Sequence, residues 1–115
     1  FALGGIAHAF SGGVEEAKAF VKLGFKIGVT GQITNPNAKK LHAAVQALGA
    51  AHLVLETDCP DMAPLCCQHG AERTRNTPAN LPYVLQGLAH SLQIDERQLA
   101  RQLWQNSLDA LRLTA

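Results

Sequence analysis

Short apolar runs alternate with amphipathic helical segments through the first 55 residues of the chain. The runs cover residues 1–7, 25–29 and 53–55, and each has the length of a buried strand. The segments between them repeat apolar residues at helical spacing. Since a helix that joins two strands of one sheet makes a crossover, this order favours parallel strands with right-handed connections. The pattern therefore predicts an α/β fold.

Glycine, proline and asparagine set the expected ends of the first two helices. The first helix follows a Ser-Gly-Gly turn and is predicted to stop at Gly24. The second is predicted to begin at Asn35-Pro36, because asparagine is a favoured N-cap and proline fits the first helical position. Its apolar stripe continues to Gly49. Both helices thus connect consecutive strands.

The second half of the chain is predicted to be helical after a long irregular segment. Residues 58–77 are rich in proline, cysteine and polar groups, and a loop of this length is more often functional than not. Thr77-Pro78 is expected to open a helix, and Asp95 is expected to cap the next one, with Gln98 at the capping-box position. We expect Asn106 to begin a final short helix.

Composition excludes some classes of protein and leaves others open. The chain has 115 residues, 47% of them hydrophobic, which fits one globular domain. It contains no apolar run near the roughly 20 residues that span a bilayer, and we expect a cytoplasmic protein with no membrane partner. A formal charge of +1 neither supports nor excludes nucleic-acid binding. The chain begins with Phe1 and its only methionine is Met62, so we expect it to be part of a longer polypeptide.

Ionisable residues follow two of the predicted strands, at the point where each strand ends. His8 follows the first strand, whereas Glu56 and Asp58 follow the third. Because the carboxyl ends of parallel strands open onto a common crevice, these groups could converge, and an imidazole with a carboxylate would suit a divalent metal ion. The alternative to metal binding is a purely structural role for each residue. His8 would then be a residue beside a turn, and the carboxylates would cap backbone amides or pair with a lysine.

Four motifs in a fixed order give the chain a specific resemblance. They are HAFSG at residues 8–12, LGFKI at 23–27, LETDCP at 55–60 and RNTP at 75–78. Together they resemble the TatD family over nearly the whole chain. Two positions depart from the family pattern, since Cys59 replaces the usual alanine and Thr77 replaces a glutamate.

The resemblance implies a metal-dependent hydrolase with a TIM-barrel fold, most simply a deoxyribonuclease that cleaves DNA phosphodiester bonds. It implies that His8 and Asp58 are metal ligands, that Asp58 is also catalytic, and that Glu56 has a supporting role. Arg75 and Asn76 match a loop near the site and are expected to bind substrate. The expected cofactor is a divalent ion such as Mg²⁺, Mn²⁺ or Zn²⁺.

A complete barrel of this type has about 250 residues, so residues 1–115 are expected to form only its carboxyl-terminal part. The three strands resemble the last three of eight, followed by carboxyl-terminal helices. We expect the isolated chain to be a nearly inactive fragment that self-associates through exposed strand edges and apolar faces. Two alternatives stay open: a non-catalytic α/β binding or scaffold module, and a related metallohydrolase that acts on a non-DNA ester or amide.

Overall fold

A computed structural model describes residues 5–56 and 80–111 of the chain. Within these ranges it contains three β-strands and four α-helices. In chain order they are β1 Gly5–Ala7, α1 Val14–Lys22, β2 Phe25–Val29, α2 Lys39–Leu48, β3 Leu53–Leu55, α3 Leu81–Leu92 and α4 Glu96–Ala110. No helix in the described ranges is long and apolar enough to cross a membrane.

The strands form one parallel sheet in the order β1-β2-β3. Ala7 pairs with Ile27, and Ile27 pairs with Leu53, so the three strands lie in one continuous register. All three therefore end at the same edge, which we call the carboxyl-terminal rim. The prediction of an α/β fold with parallel strands is confirmed.

The two faces of the sheet have different surroundings. Ile27, Val29 and Leu53 are fully buried and belong to the core that the helices cover. Successive side chains in a strand point to opposite faces, so Gly28 and Val54, which pair with each other, lie on the other face. The alternation continues just past the strand ends. The side chains of even-numbered residues that follow β1 and β3 therefore point to the same face of the sheet as Gly28.

The core between sheet and helices is continuous. Apolar side chains of α1, α2, α3 and α4 all contribute to the cluster that contains the strand residues. Its helical members are Ala17, Leu41, Ala44, Val45, Val84, Leu88, Ala89, Leu99 and Leu103. Since each helix presents one apolar stripe to the same face of the sheet, this core fixes the positions of the strands and of the loops that leave them.

The expected ends of the helices are partly correct. Asp95 accepts a hydrogen bond from the Gln98 amide at 3.1 Å, which confirms it as the N-cap of α4. The predicted start of α2 at Asn35-Pro36 is wrong, because α2 begins at Lys39. Asn35 Oδ1 instead accepts a hydrogen bond from the Asn37 amide at 2.9 Å and so stabilises a turn before the helix. Thr77-Pro78 lies outside the described residues.

Asn106 does not begin a helix, and this prediction is wrong. It lies inside α4 and is 1% exposed. Its Nδ2 donates to the carbonyl oxygens of Ala50 at 2.6 Å and Leu53 at 2.7 Å, while its Oδ1 accepts from Gln102 at 2.8 Å. The helix continues through Asn106 because its side chain bonds to the start of β3 rather than to its own backbone.

Substitution of Asn106 by alanine tests this anchor. Two carbonyl groups near β3 lose their donor, and we expect the free energy of unfolding to fall by about 2–4 kcal/mol. Gln105→Ala is the matched control: Gln105 is exposed, bonds only to Asp109 among the described residues, and should cost less than about 0.5 kcal/mol. Urea unfolding followed by circular dichroism measures both; equal costs would contradict the anchoring role.

Candidate active site at the carboxyl-terminal rim

His8 and Glu56 meet at the carboxyl-terminal rim. His8 Nδ1 lies 2.8 Å from Glu56 Oε1, and the backbone amide of Ala9 donates to Glu56 Oε2 at 2.6 Å. The Glu56 side chain is 14% exposed and the His8 side chain is 62% exposed. Both oxygens of a mostly buried carboxylate are thus bonded to the loop that follows β1, and the imidazole stays accessible from outside.

Glu56 reaches His8 by passing over the central strand. β1 and β3 are not neighbours, since β2 lies between them, and adjacent strands are about 4.8 Å apart. The carboxylate of Glu56 occupies the space above Gly28, where an added Cβ atom would overlap it. The backbone of Glu56 is held at this level because its amide donates to the carbonyl of Val29 at 2.8 Å. The contact therefore requires glycine at position 28.

The loop after β1 is fixed by its own contacts. Ala9 has a positive φ of 48°, a conformation that costs a non-glycine residue energy. The amide of Phe10 donates to the carbonyl of Gly28 at 3.1 Å, and the Phe10 ring packs edge-on against Phe20. At this strained turn the Ala9 amide faces Glu56. The side chain of Phe10, packed in the core, anchors the loop.

The pairing of His8 with Glu56 selects one form of the imidazole ring. An ionised carboxylate can only accept hydrogen bonds, so the proton between the two groups belongs to His8 Nδ1. In the neutral ring this leaves the lone pair on Nε2, which is the nitrogen that would ligate a metal ion. Histidine ligands of metals commonly donate their other ring N–H to a carboxylate in this way. The donor set fits a metal-binding histidine oriented by Glu56.

The described residues do not complete a metal site. Within residues 5–56 and 80–111, no group of three or more histidine, cysteine or acidic side chains could hold a metal ion. Asp58, Arg75 and Asn76 all lie outside these ranges. The convergence of His8 with Asp58 therefore stays a prediction, as does the role of Arg75 and Asn76.

Two parts of the site were missed by reasoning from sequence. The four motifs give Gly28 no role, although a glycine inside a strand is a recognised sign of close approach by another group. The backbone amide of Ala9 could not be found from sequence, because almost every residue has a backbone N–H group and only the fold brings this one to Glu56. Of the five site residues that the sequence predicts, only His8 and Glu56 lie within the described residues.

Comparison with known proteins identifies the family. A family model described as "TatD related DNase" matches residues 1–112. The chain belongs to this family. The TatD resemblance drawn from the four sequence motifs is thereby confirmed.

Relatives in bacteria carry names of two kinds. The chain is 39% identical over 103 residues to the Escherichia coli protein named uncharacterized metal-dependent hydrolase YjjV. This match covers 90% of this chain and 38% of that protein. It is 35% identical over 88 residues to the E. coli protein named 3'-5' ssDNA/RNA exonuclease TatD, covering 76% of this chain and 34% of the exonuclease. The chain thus spans less than half the length of these relatives.

Solved structures give the same fold. The crystal structure of the TatD homologue YjjV from E. coli aligns with a TM-score of 0.83 and 34% identity, covering 96% of this chain and 41% of that one. A TatD family hydrolase from Entamoeba histolytica aligns with a TM-score of 0.75 at 20% identity, over 93% of this chain and 42% of that one. The mixed α/β arrangement is therefore that of solved TatD proteins.

Substitution of Gly28 by alanine tests the crossing of Glu56 over β2. The new methyl group would displace the carboxylate, so we expect the hydrogen bonds from His8 and Ala9 to be lost and the free energy of unfolding to fall by about 1–3 kcal/mol. Gly13→Ala is the control: within residues 5–56 and 80–111, no atom beyond its chain neighbours lies within 4 Å of its added Cβ, and we expect a cost below about 1 kcal/mol.

Two measurements follow the contact directly. Hydrogen exchange of the Ala9 amide should accelerate in Gly28→Ala, and the ¹⁵N chemical shifts of the His8 ring should move, while both stay unchanged in Gly13→Ala. An unaltered Ala9 amide in Gly28→Ala would show that Glu56 does not depend on the open space at this glycine.

Proposed function

We propose that this chain is the carboxyl-terminal part of a metal-dependent phosphodiesterase that hydrolyses DNA, and that its sheet forms the last three strands of an eight-stranded TIM barrel. The observation that carries the proposal is the His8–Glu56 pair at the rim of a parallel sheet, in a chain that a TatD family model matches over residues 1–112. In parallel barrels, catalytic groups gather at this end of the strands.

A divalent ion is proposed to be held by His8 and Asp58 together with ligands from outside these residues. Support comes from the donor set and from relatives named metal-dependent hydrolases. When bound, such an ion polarises a phosphodiester oxygen and lowers the pKa of water. Mg²⁺, Mn²⁺ and Zn²⁺ are all compatible with a set of imidazole and carboxylate ligands.

Each named residue has a separate proposed task. Asp58 would bind the ion and accept the proton of the attacking water on a carboxylate oxygen. His8 would present Nε2 as a neutral ligand. Glu56 would not touch the ion; it would position His8 by accepting a hydrogen bond from the Nδ1–H group. Arg75 and Asn76 would bind the anionic substrate, since guanidinium and amide groups donate hydrogen bonds to phosphate oxygens.

DNA is the proposed substrate because relatives of this chain are named ssDNA/RNA exonucleases. The alternatives named above predict different results. A non-catalytic module would show no metal-dependent hydrolysis, and a metallohydrolase of another class would prefer simple esters or amides to DNA. Rates on single-stranded DNA, RNA and ester substrates therefore separate the three.

The isolated 115-residue chain is proposed to have little or no nuclease activity, because His8 and Asp58 would be too few ligands to hold a metal ion tightly without those expected from outside residues 1–115. Self-association of the chain and a cytoplasmic location both stay predictions. Light scattering coupled to size exclusion measures the first, and a stable monomer would contradict it.

Asp58→Ala tests the catalytic assignment in the whole natural polypeptide that contains this chain. Because the variant loses both a ligand and the proton acceptor, we expect hydrolysis of single-stranded DNA to fall by about 10³-fold or more. Asp109→Ala, which removes an exposed carboxylate from α4, should leave the rate unchanged. EDTA should abolish wild-type activity, and Mg²⁺ or Mn²⁺ should restore it. Metal-dependent activity that survives Asp58→Ala would refute the mechanism.

Glu56→Gln tests the positioning of His8. The amide oxygen of glutamine can still accept from Ala9, but its NH₂ group must then face His8 Nδ1 as a donor. This would force the proton of His8 onto Nε2 and block that nitrogen as a ligand. We expect metal affinity to fall by about 10–100-fold. Glu15→Gln on the exposed surface of α1 is the control.

Calorimetric metal titration measures the affinity of the Glu56→Gln variant, and long-range ¹H–¹⁵N spectra report the His8 tautomer. The proposal expects the proton to move from Nδ1 to Nε2 in Glu56→Gln and to stay on Nδ1 in Glu15→Gln. Unchanged affinity together with an unchanged tautomer would show that Glu56 does not orient His8.

A further inference from the structure

A cleft lies on the same rim as His8 and Glu56 and contains two lysines. It has a volume of about 360 Å³, within the range of about 300–1,000 Å³ typical of ligand sites. We call it the lysine cleft. The polar residues that line it are Ser11, Gln32, Asn37, Lys39 and Lys40. None of these side chains was singled out by the sequence motifs as a functional residue.

The connectivity places the lysine cleft beside the candidate active site. Ser11 lies three positions after His8, in the loop that leaves β1, and Gln32 lies three positions after Val29, the last residue of β2. Both loops leave the sheet at the carboxyl-terminal rim. A chain-like substrate that reaches His8 can therefore extend across the end of β2 to the lysines at the start of α2.

The charged side chains among the described lining residues of the cleft are both positive. Lys39 and Lys40 are both exposed, and neither forms an ion pair with a carboxylate of residues 5–56 or 80–111. No acidic residue lies in the first turn of α2. Two cations at a helix N-terminus oppose the helix dipole, so this placement does not serve the stability of α2. An anion bound in the cleft would offset the unfavourable interaction of these two lysines with the helix dipole.

The walls of the cleft are held in place before any ligand binds. The Asn35 side chain accepts from the Asn37 amide at 2.9 Å, and His42 Nε2 lies 3.0 Å from the Asn35 carbonyl oxygen. A carbonyl only accepts, so Nε2 donates there, and His42 Nδ1 accepts from Ser91 Oγ at 2.7 Å when the ring is neutral. This network ties the loop before α2 to α3, and a fixed loop loses little entropy when it binds a ligand.

We propose that the lysine cleft binds a backbone phosphate of single-stranded nucleic acid, next to the phosphodiester bond that is hydrolysed. Lys39 and Lys40 supply the positive charge, while Ser11, Gln32 and Asn37 supply neutral donors to phosphate and sugar oxygens. The contact is independent of base sequence. The proposal rests on the proposed function, since it names where the substrate of that site extends.

The test compares two double variants in the whole natural polypeptide that contains this chain. Lys39→Ala/Lys40→Ala removes the charge of the cleft. Lys18→Ala/Lys22→Ala removes the same charge from exposed positions on α1, where Lys22 lies in the last turn. Because the net charge is equal in the two variants, any difference between them reports position rather than overall electrostatics.

The cleft variant should raise KM for single-stranded DNA on the order of tenfold, with kcat within about twofold of wild type. Binding of a fluorescein-labelled oligothymidylate, measured by anisotropy in EDTA, should weaken equally. Its salt dependence should become less steep by about 0.7 in log–log slope for each lysine lost. The α1 variant should retain wild-type KM and salt slope.

One further double variant and a stability measurement keep the result interpretable. Lys39→Arg/Lys40→Arg should bind as wild type does, because the charge is kept. The melting temperature of the alanine variant should equal or exceed that of wild type, since the substituted residues opposed the helix dipole. Equal losses in the cleft and α1 variants, or failure of the arginine variant to restore binding, would overturn the proposal.

The proposed function and the cleft fail in different ways. If Asp58→Ala abolishes hydrolysis while the cleft variant keeps wild-type KM and anisotropy, the cleft proposal fails and the nuclease assignment stands. If the wild-type polypeptide shows no metal-dependent hydrolysis of DNA, the proposed function fails, and with it the substrate that the cleft was proposed to hold.

Discussion

The contact of Glu56 with the loop after β1 is the interaction on which the rest of the rim depends. It joins the two outer strands of the sheet across the middle one, a span of about 10 Å. Such a span is too long for backbone hydrogen bonding, so a long side chain has to make it. The strand between must then leave a gap, and Gly28 provides it. A methyl group at this position would occupy the space that the Glu56 carboxylate fills.

The bridge also accounts for the strained backbone beside it. A carboxylate that is only 14% exposed needs hydrogen-bond donors to replace water. His8 provides one from its ring, and the backbone amide of Ala9, a residue with a positive φ, provides the other. The cost of that conformation is offset by bonding the second carboxylate oxygen. The buried carboxylate, its two hydrogen bonds and the strained residue Ala9 therefore depend on one another. Together they fix the orientation of the His8 ring.

The parts of this fold that sequence predicted are those controlled by local pattern. The strand at Phe25–Val29, the strand at Leu53–Leu55 and the cap at Asp95 follow from apolar runs and from a side chain that bonds within its own turn. The error at Asn106 arose where distant contacts decided the outcome. Asn106 resembles a cap in sequence, yet its amide bonds to residues more than 50 positions away. The residues near Asn106 in sequence do not indicate partners that lie so far away along the chain.

The same distinction applies to the site. Topology alone put His8 and Glu56 at one edge of the sheet, because parallel strands share an end, and the hydrogen bond between them confirms that they meet. The crossing over Gly28 and the lysine cleft required the register of the strands and the path of the loops. Both loops that build these features depart from the end of β2 or lie against it, as the bond from Phe10 to Gly28 shows. The central strand thus aligns the proposed hydrolytic groups with the proposed phosphate site, so that one extended strand of nucleic acid could contact both.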